Sequence, residues 1–428
     1  MATLSVGPGG QYSTISAAVA ASHSGDIIQV QAGTYTNDFP PEIGHDLTLQ
    51  AVGGRVNMVA TVSLPNSKGI LDIGGPGVSV TVTGFNFCGA QVSQANGENG
   101  AGIRYEGGDL TLVNDYFHNN QDGLLGNPDP AGTITITNCK FSSNGSGVGN
   151  THNLYVGAID TLTVTNSYFT CSVVGHEIKS RAANTFIENN RIQDGPTGTG
   201  SYNIDLPNGG NALVTGNLIE KGPNAENARM LSFGEEGGVY ANSALTVTAN
   251  TFLNDLSSPT SLAVWNATTA SAIIANNAFY GLTAAEIAGG PAKIADSSFL
   301  ATEPALNTMP PWTTATGRGH HPQIRRSCRH AGGESLPRRY DLGRRERDRQ
   351  RQRHRPGRQR QRHDLRGERK RLGRRRHRTT YIHRRIGKRG RHPATRHHEC
   401  ADAERGSVGE HGRGDDRYRR QQSGPLQF

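Results

Sequence analysis

Short segments in which apolar and polar residues alternate recur along the first 300 positions of the chain. Each segment runs into a turn rich in Asn and Gly and closes on an apolar residue. Alternation with a period of two predicts strands. The copies are TVTGFNF (81–87), TLVNDYF (111–117), TITNCKF (135–141), TVTNSYF (163–169), TFIENNRI (185–192), ALVTGNLI (212–219), TVTANTF (246–252) and IIANNAF (273–279).

The closing apolar residues are spaced by 30, 24, 28, 23, 27, 33 and 27 positions, which predicts a solenoid with one unit per coil. We therefore expect an all-β fold, a right-handed parallel β-helix. Equivalent side chains would repeat every ~4.8 Å along its axis, with Asn side chains forming a ladder at a turn. An antiparallel sandwich is disfavoured, since Asn-Gly and Asp-Gly hairpin signals do not separate the copies. The residues expected to stack inside are Phe87, Phe117, Phe141, Phe169, Ile192, Ile219, Phe252 and Phe279.

The N-terminal segment predicts a cap for such a solenoid. Residues 13–21 (STISAAVAA) have the pattern of a short amphipathic helix with Ser13 as its N-cap, and residues 25–35 (GDIIQVQAGTY) that of a strand leaving it. This block resembles the N-terminal cap and first coil of the pectin-lyase-like right-handed β-helix proteins. With the repeats, the resemblance covers roughly residues 3–300. It implies the fold; the activity stays open, because such proteins include lyases, hydrolases, epimerases, esterases and phage tailspikes.

Charge divides the chain into two segments. Residues 1–316 contain 10 Lys and Arg against 24 Asp and Glu, whereas residues 317–428 contain 35 against 12. We expect a β-helix domain at 1–312 and a disordered Arg-rich tail at 313–428. No run of ~18 apolar residues and no signal peptide are visible. The resemblance implies a secreted bacterial protein, extracellular or on the cell surface, exported by a route without an N-terminal signal peptide.

The Arg-rich tail has two interpretations. A native basic tail would bind nucleic acid, but Lys and aromatic residues are too scarce for the usual stacking surface, and we expect no nucleic-acid partner. The alternative is a frameshift. In a GC-rich gene read in a shifted frame, each Arg codon would correspond to Gly, Asp, Ala or Val in the original frame, and each Gln codon to Asn or Ser. The segment RQRQRH (358–363) would then correspond to a sequence like that of secreted calcium-binding repeats. Only a genuine tail would make His397, His398 and Cys400 a metal cluster.

Ionisable residues of four consecutive units fall at nearly the same distance from the closing apolar residue. In a solenoid this alignment places them on one outer face. Strand alternation predicts that Tyr155, Lys179, Arg181, Asn203 and Asp205 point outward, as does Glu177, and that His152 and His176 lie inward or where strands begin. Surface ion pairs would explain the same charges without any function. The substrate-binding candidates are His152, His176, Glu177, Asn203, Arg229 and Glu235.

The catalytic candidates are Lys179, Arg181, Tyr155 and Asp205. Proteins of the resembling group that cleave uronic-acid polysaccharides by β-elimination need a cation for the sugar carboxylate, a base for the C5 proton and an acid for the leaving oxygen. Arg181, Lys179 and Tyr155 respectively fit these roles. We therefore expect a polysaccharide lyase with a polysaccharide substrate.

Two other functions remain open at this point. A glycoside hydrolase needs two carboxylates, for which Glu177, Asp205, Glu235 and Glu236 are available. A non-catalytic adhesive or tailspike-like β-helix needs no groove over this face. No metal site is expected, since the five cysteines form no CxxC pair and the Asp cluster of calcium-dependent pectate lyases is not evident; calcium is the one cofactor kept open.

Overall fold

The computed structural model describes residues 1–304, and the predicted tail at 313–428 lies outside the described residues. The helix α1 spans Ile15–Ala21, and 3₁₀ turns span Gln94–Asn96 and Ala284–Glu286. The strands up to residue 142 are β1 Thr3–Val6, β2 Asp26–Thr36, β3 Leu47–Val59, β4 Gly69–Ile73, β5 Ser79–Thr83, β6 Phe85–Cys88, β7 Ala101–Tyr105, β8 Asp109–Val113, β9 Tyr116–His118, β10 Asp122–Gly126, β11 Asp129–Thr137 and β12 Lys140–Ser142.

The later strands follow in sets of three, one set for each coil. They are β13 Leu154–Val156, β14 Ile159–Thr165, β15 Tyr168–Thr170, β16 Ile178–Ser180, β17 Asn184–Glu188, β18 Arg191–Gln193, β19 Ile204–Leu206, β20 Asn211–Thr215, β21 Leu218–Lys221, β22 Arg229–Phe233, β23 Ala244–Thr248, β24 Thr251–Asn254, β25 Leu262–Asn266, β26 Ala272–Ala275, β27 Ala278–Tyr280, β28 Ala288–Gly289, β29 Ala292–Ala295 and β30 Ser298–Phe299.

From β4 onward each coil contributes one strand to a nine-stranded sheet and two to a 21-stranded sheet, which also contains β1, β2 and β3, and each strand pairs in parallel with its equivalent in the next coil. The predicted right-handed parallel β-helix is thereby confirmed. All eight closing apolar residues are fully buried. Their rings stack in register, with centroids 5.0 Å apart for Phe87–Phe117, 4.5 Å for Phe117–Phe141 and 4.8 Å for Phe141–Phe169.

A side-chain ladder fixes the bend between the two strands that each coil gives to the larger sheet. The residue before each ladder position has a positive φ, as at Asn189 (57°) and Asn276 (57°), which Asn tolerates better than most residues. The next residue, such as Asn217, accepts the backbone N–H of the coil before it at 2.8 Å. The ladder predicted from sequence is confirmed at Asn190, Asn217, Asn250 and Asn277.

The helix α1 closes the N-terminal end by burying Ile15, Ala18 and Val19. Its N-cap is Thr14, whose hydroxyl accepts the Ala17 N–H at 3.2 Å, so the expectation of Ser13 is wrong by one position. The shift follows from Asp38, whose carboxylate accepts the N–H groups of both Ile15 and Ser16 and fixes where the first turn begins.

Candidate functional site

The outer face of the nine-stranded sheet carries one row of side chains in register from coil to coil. Tyr155 on β13 lies opposite Lys179 on β16, and Lys179 lies opposite Asp205 on β19. Successive members are one coil apart, ~4.8 Å along the axis. Arg181 is the next outward position after Lys179. The structure thus brings together the four residues expected to carry chemistry, and their catalytic role stays a prediction.

Arg181 is held by three partners. Its Nε donates to the Tyr155 hydroxyl at 3.0 Å, Nη1 donates to Asn208 Oδ1 at 2.7 Å, and Nη2 forms an ion pair with Glu236. The guanidinium also lies 5.9 Å from the centroid of the Tyr155 ring. These contacts fix the plane of the guanidinium and leave it partly exposed, which suits recognition of a carboxylate.

Lys179 is buried, against the expectation that it faces solvent. Its side chain is 10 % exposed and lies between two carboxylates, 3.3 Å from Asp205 Oδ2 and 2.6 Å from Glu236 Oε1. Glu236 comes from the segment after β22 and covers the row from outside. Burial alone would raise the pKa of Glu236, but hydrogen bonds from Lys179 and Arg181 outweigh it and lower the pKa.

Asp205 is the buried acid of the row, with a side chain only 3 % exposed. Burial raises its pKa to about 6, although the positive charge of Lys179 acts in the opposite direction. This carboxyl group therefore changes its charge close to neutral pH, which is where a group that exchanges protons is most useful.

Two buried histidines and a tyrosine form a second stack beside this row, just before β13, β16 and β19 begin, in agreement with the prediction that the histidines lie inward or where strands begin. The rings of His152 and His176 are 4.6 Å apart, and those of His176 and Tyr202 are 5.2 Å apart. Burial lowers the pKa of His152 to about 3 and that of His176 well below its usual value, so both rings are neutral. His152 Nδ1 accepts the His176 N–H at 3.0 Å, which places the ring hydrogen of His152 on Nε2.

Glu177 and Asn203 do not reach the outer face, so the outward orientation expected for them is wrong. Both are fully buried. Glu177 accepts from the side chain of Asn153 and from the Ser172 N–H, and Asn203 donates to the Glu220 carbonyl at 2.8 Å. Each residue precedes its short strand and lies in the turn, where strand alternation no longer applies.

The segment after β22 supplies a second ion pair on this face. Arg229 pairs with Glu235, whose carboxylate also accepts from the Tyr202 hydroxyl at 2.8 Å and from Ser232 Oγ at 2.9 Å. The Arg229 guanidinium lies 4.3 Å from the centroid of the Trp265 ring.

Tyr202 and Arg229 also line one end of a cavity of about 1050 Å³, whose walls include Glu226, Ser258 and Ser261. Lys179, Arg181 and Asp205 do not line it.

Sequence reasoning missed a second polar group on the same face, toward the N-terminus. Arg104 occupies the outward row three coils before Lys179. Its Nε lies 3.3 Å from Glu106 Oε1, which also lies 3.1 Å from Lys68 Nζ. Asp72 is its neighbour in the row, and burial raises the pKa of Asp72 to about 6. The signal that would have found Arg104 is the alternation in β7, where Arg104 stands between the apolar residues Ile103 and Tyr105.

Among residues 1–304 no three His, Cys, Asp or Glu side chains are grouped so as to hold a metal ion. Within the same residues no helix has the length and apolar character needed to cross a membrane.

Comparison with solved structures supports the fold. The chain is similar to an alginate lyase from a Paenibacillus species, with a TM-score of 0.51 and 17 % identity over 70 % of this chain and 99 % of that chain. It also matches a pectate lyase (TM-score 0.44, 16 % identity, 69 % and 78 % covered) and a pectin methylesterase from Aspergillus niger (0.30, 15 %, 70 % and 85 %). No family model and no curated protein matches the chain. Its fold is the pectin-lyase-like right-handed parallel β-helix.

Proposed function

We propose that this protein is a polysaccharide lyase that cleaves a uronic-acid polysaccharide by β-elimination on the outer face of the nine-stranded sheet. The observation that carries the proposal is the in-register row of Tyr155, Lys179 and Asp205, with Arg181 beside it. A phenol, an amine, a carboxyl group and a guanidinium on three adjacent coils supply every group that β-elimination requires. Because the solved structure of similar fold is named an alginate lyase, alginate is the first substrate to test.

In the proposed reaction, Arg181 binds the carboxylate of the sugar whose C5–H bond breaks. Neutralising that carboxylate makes the C5 proton acidic, and Lys179 removes it. The C4–O bond then breaks as the C4=C5 double bond forms, and Tyr155 gives its proton to the departing oxygen. The Tyr155 hydroxyl is 3.0 Å from Arg181 Nε, so the guanidinium also stabilises the phenolate that this step produces.

Glu236 and Asp205 both form ion pairs with Lys179, whereas a lysine acts as a base only as a neutral amine. A substrate carboxylate that takes the place of Glu236 on Arg181 would withdraw one of these two anions from Lys179. Asp205 would remain as the buried partner that receives and returns the proton. The proposal therefore requires Glu236 to move when substrate binds.

The hydrolase alternative loses one of its candidate carboxylates. Glu177 is fully buried in a turn, and Glu235 and Glu236 are each committed to an arginine. Asp205 keeps a raised pKa, but Lys179 pairs with both Asp205 and Glu236, so a cation lies between the two carboxylates where a hydrolase would hold the glycosidic bond. The adhesive alternative differs from a lyase in having no turnover, so one assay separates them.

The test is incubation of the full chain with polymannuronate, polyguluronate and polygalacturonate while the ultraviolet absorbance of the new double bond is followed. Lys179→Ala should lower turnover by about 10²- to 10⁴-fold, the usual contribution of one general base. Arg181→Lys should lower it nearly as far, since an ammonium cannot bind a carboxylate through two parallel hydrogen bonds.

The matched control is Lys293→Ala, which removes an exposed lysine on β29 at the far end of the solenoid. It should leave turnover unchanged. Turnover of none of the three polymers would contradict a lyase of this substrate class, and binding without turnover would favour the adhesive function. Normal turnover of Lys179→Ala would place the chemistry elsewhere.

A further inference from the structure

Two adjacent glutamates form ion pairs with the three cations on the central part of this face, Lys179, Arg181 and Arg229. Residues 234–243, here called the acidic loop, connect β22 to β23 and carry Glu235 and Glu236. Glu236 pairs with Lys179 and Arg181, and Glu235 pairs with Arg229. The chain's own carboxylates thus lie where an acidic polysaccharide would place its own.

The position occupied by Glu235 has the form of a binding site. Arg229, Tyr202 and Ser232 come from two neighbouring coils and direct three donors at one carboxylate. Arg229 is held on its other side by Trp265, so the donors stay in place if Glu235 leaves. Two of the three donors, Tyr202 and Arg229, also line the cavity described above, which gives a ligand room beside them, although Glu235 and Ser232 do not line it.

We propose that Arg229, Tyr202 and Ser232 form a second carboxylate-binding site, which Glu235 fills until an acidic oligosaccharide displaces its side chain. This inference rests on the proposed function for its class of ligand. Arg181 follows β16 and Arg229 begins β22, so the two sites are two coils or ~10 Å apart along the axis. The ligand is therefore a uronic-acid oligomer that presents carboxylates to both sites at once, not a single uronic acid.

The backbone of the acidic loop is hydrogen-bonded to the preceding coil at Gly234, Glu236 and Tyr240, so the parts free to leave their partners are the two glutamate side chains. The side chains of Glu235 and Glu236 are 32 % and 44 % exposed, and ion pairs at such exposure are weak because water screens them. Gly234, Gly237 and Gly238 flank the two glutamates with φ values of 74°, 79° and 62°. Glycine adopts this region freely, so the backbone on either side of the two glutamates is not strained.

The test measures binding, so that it does not depend on turnover. Hexamers of mannuronate, guluronate and galacturonate are titrated calorimetrically into the full chain carrying Tyr155→Phe, which keeps every charge of the face. Glu235→Gln should tighten binding by up to about fivefold, because the competing carboxylate is lost. Arg229→Gln should weaken binding by about tenfold or more and should abolish the gain from Glu235→Gln.

The matched control is Glu226→Gln. Glu226 is an exposed acid on the wall of the same cavity, and among residues 1–304 it forms no ion pair. Removing its charge should change affinity by less than about twofold. If Glu235→Gln tightens binding no more than this control does, or if Arg229→Gln binds as the parent does, the second site is refuted.

The outcomes also separate this inference from the lyase itself. Turnover with binding that ignores Arg229 would overturn the second site and leave the lyase standing. Binding that follows Glu235 and Arg229 without turnover would support the second site and overturn the lyase. Binding of none of the hexamers would overturn both.

Discussion

At the scale of single residues, Glu236 holds Lys179 and Arg181 in ion pairs although it lies 57 positions from Lys179 along the chain. No local pattern links the two, because the loop that carries Glu236 crosses two coils to reach the row. Sequence reasoning could name Glu236 only as a spare carboxylate. It could place Lys179 and Asp205 on one face, but not foresee that the loop buries Lys179 and holds it in two ion pairs.

Asp205 should make stability depend on pH in a way that isolates its own contribution. Its pKa is about 6 in the folded protein against 3.8 for an ordinary Asp, so the folded state binds the proton more tightly than the unfolded state. This contribution is present below pH ~4 and is lost as pH rises through about 6. Relative to Asp205→Asn, the wild-type free energy of unfolding should fall by at most about 3 kcal/mol between pH 4 and pH 7.

Chemical denaturation of both proteins at several pH values measures this difference. The subtraction removes the opposing effect of His152, whose lowered pKa makes stability rise over part of the same range, whereas His176 lies 4.0 Å from Asp205 and contributes to the difference. A difference that stays flat, or that rises with pH, would show that Asp205 is not the buried acid described above.

At the scale of elements, the Asn ladder at the bend of the larger sheet, here called the bend ladder, was predictable because its residues repeat beside the closing apolar residues. The register of the outward row was harder to predict. Arg104 lies 17 positions after Phe87, Tyr155 lies 14 after Phe141 and Lys179 lies 10 after Phe169, although all three share one row. The turns before the strands of the smaller sheet differ in length. A fixed count from the closing apolar residue therefore does not identify which residues of these strands lie opposite each other.

The bend ladder should contribute more to stability than its small side chains suggest. Asn217 accepts from the Asn190 N–H at 2.8 Å and donates to the Ile187 carbonyl at 2.8 Å and to Asn250 Oδ1 at 3.0 Å, all in buried surroundings. Asn217→Ala leaves the Asn190 N–H unpaired and removes the two bonds that the Asn217 amide donates, and should cost about 2–4 kcal/mol of unfolding free energy.

The control for the ladder is Asn211→Ala, which removes an exposed amide on β20 of the same coil. Surface changes of this kind usually alter stability by about 0.5 kcal/mol or less. Urea denaturation of the two variants gives the comparison. An equal, small effect of both substitutions would mean that the ladder fills space without stabilising the coil stack.

At the scale of the whole molecule, the apolar stack runs through the described solenoid to its last coil. The column begun by Phe87 continues past the predicted members to Phe299, which stacks on Phe279 at 5.9 Å and is 49 % exposed. The sequence predicted the column because Phe and Ile recur at one place in every repeat. It also predicted that residues beyond about 312 add nothing, because 35 Lys and Arg among 112 residues leave too few apolar side chains to build a core.

Two truncations test where the folded unit ends. Ending the chain after Pro311 removes the Arg-rich segment and should leave the melting temperature unchanged, since little apolar area is lost. Ending it after Gly281 also removes β28, β29 and β30, which uncovers Phe279 and the Ile274 that pairs with Ile294. That variant should melt lower by roughly 5 °C or more, because two buried apolar residues become exposed at the end of the stack. Calorimetric scans of the three proteins decide the matter. A large loss after Pro311 would show that the basic segment supports the β-helix, and no loss after Gly281 would show that the last coil does not.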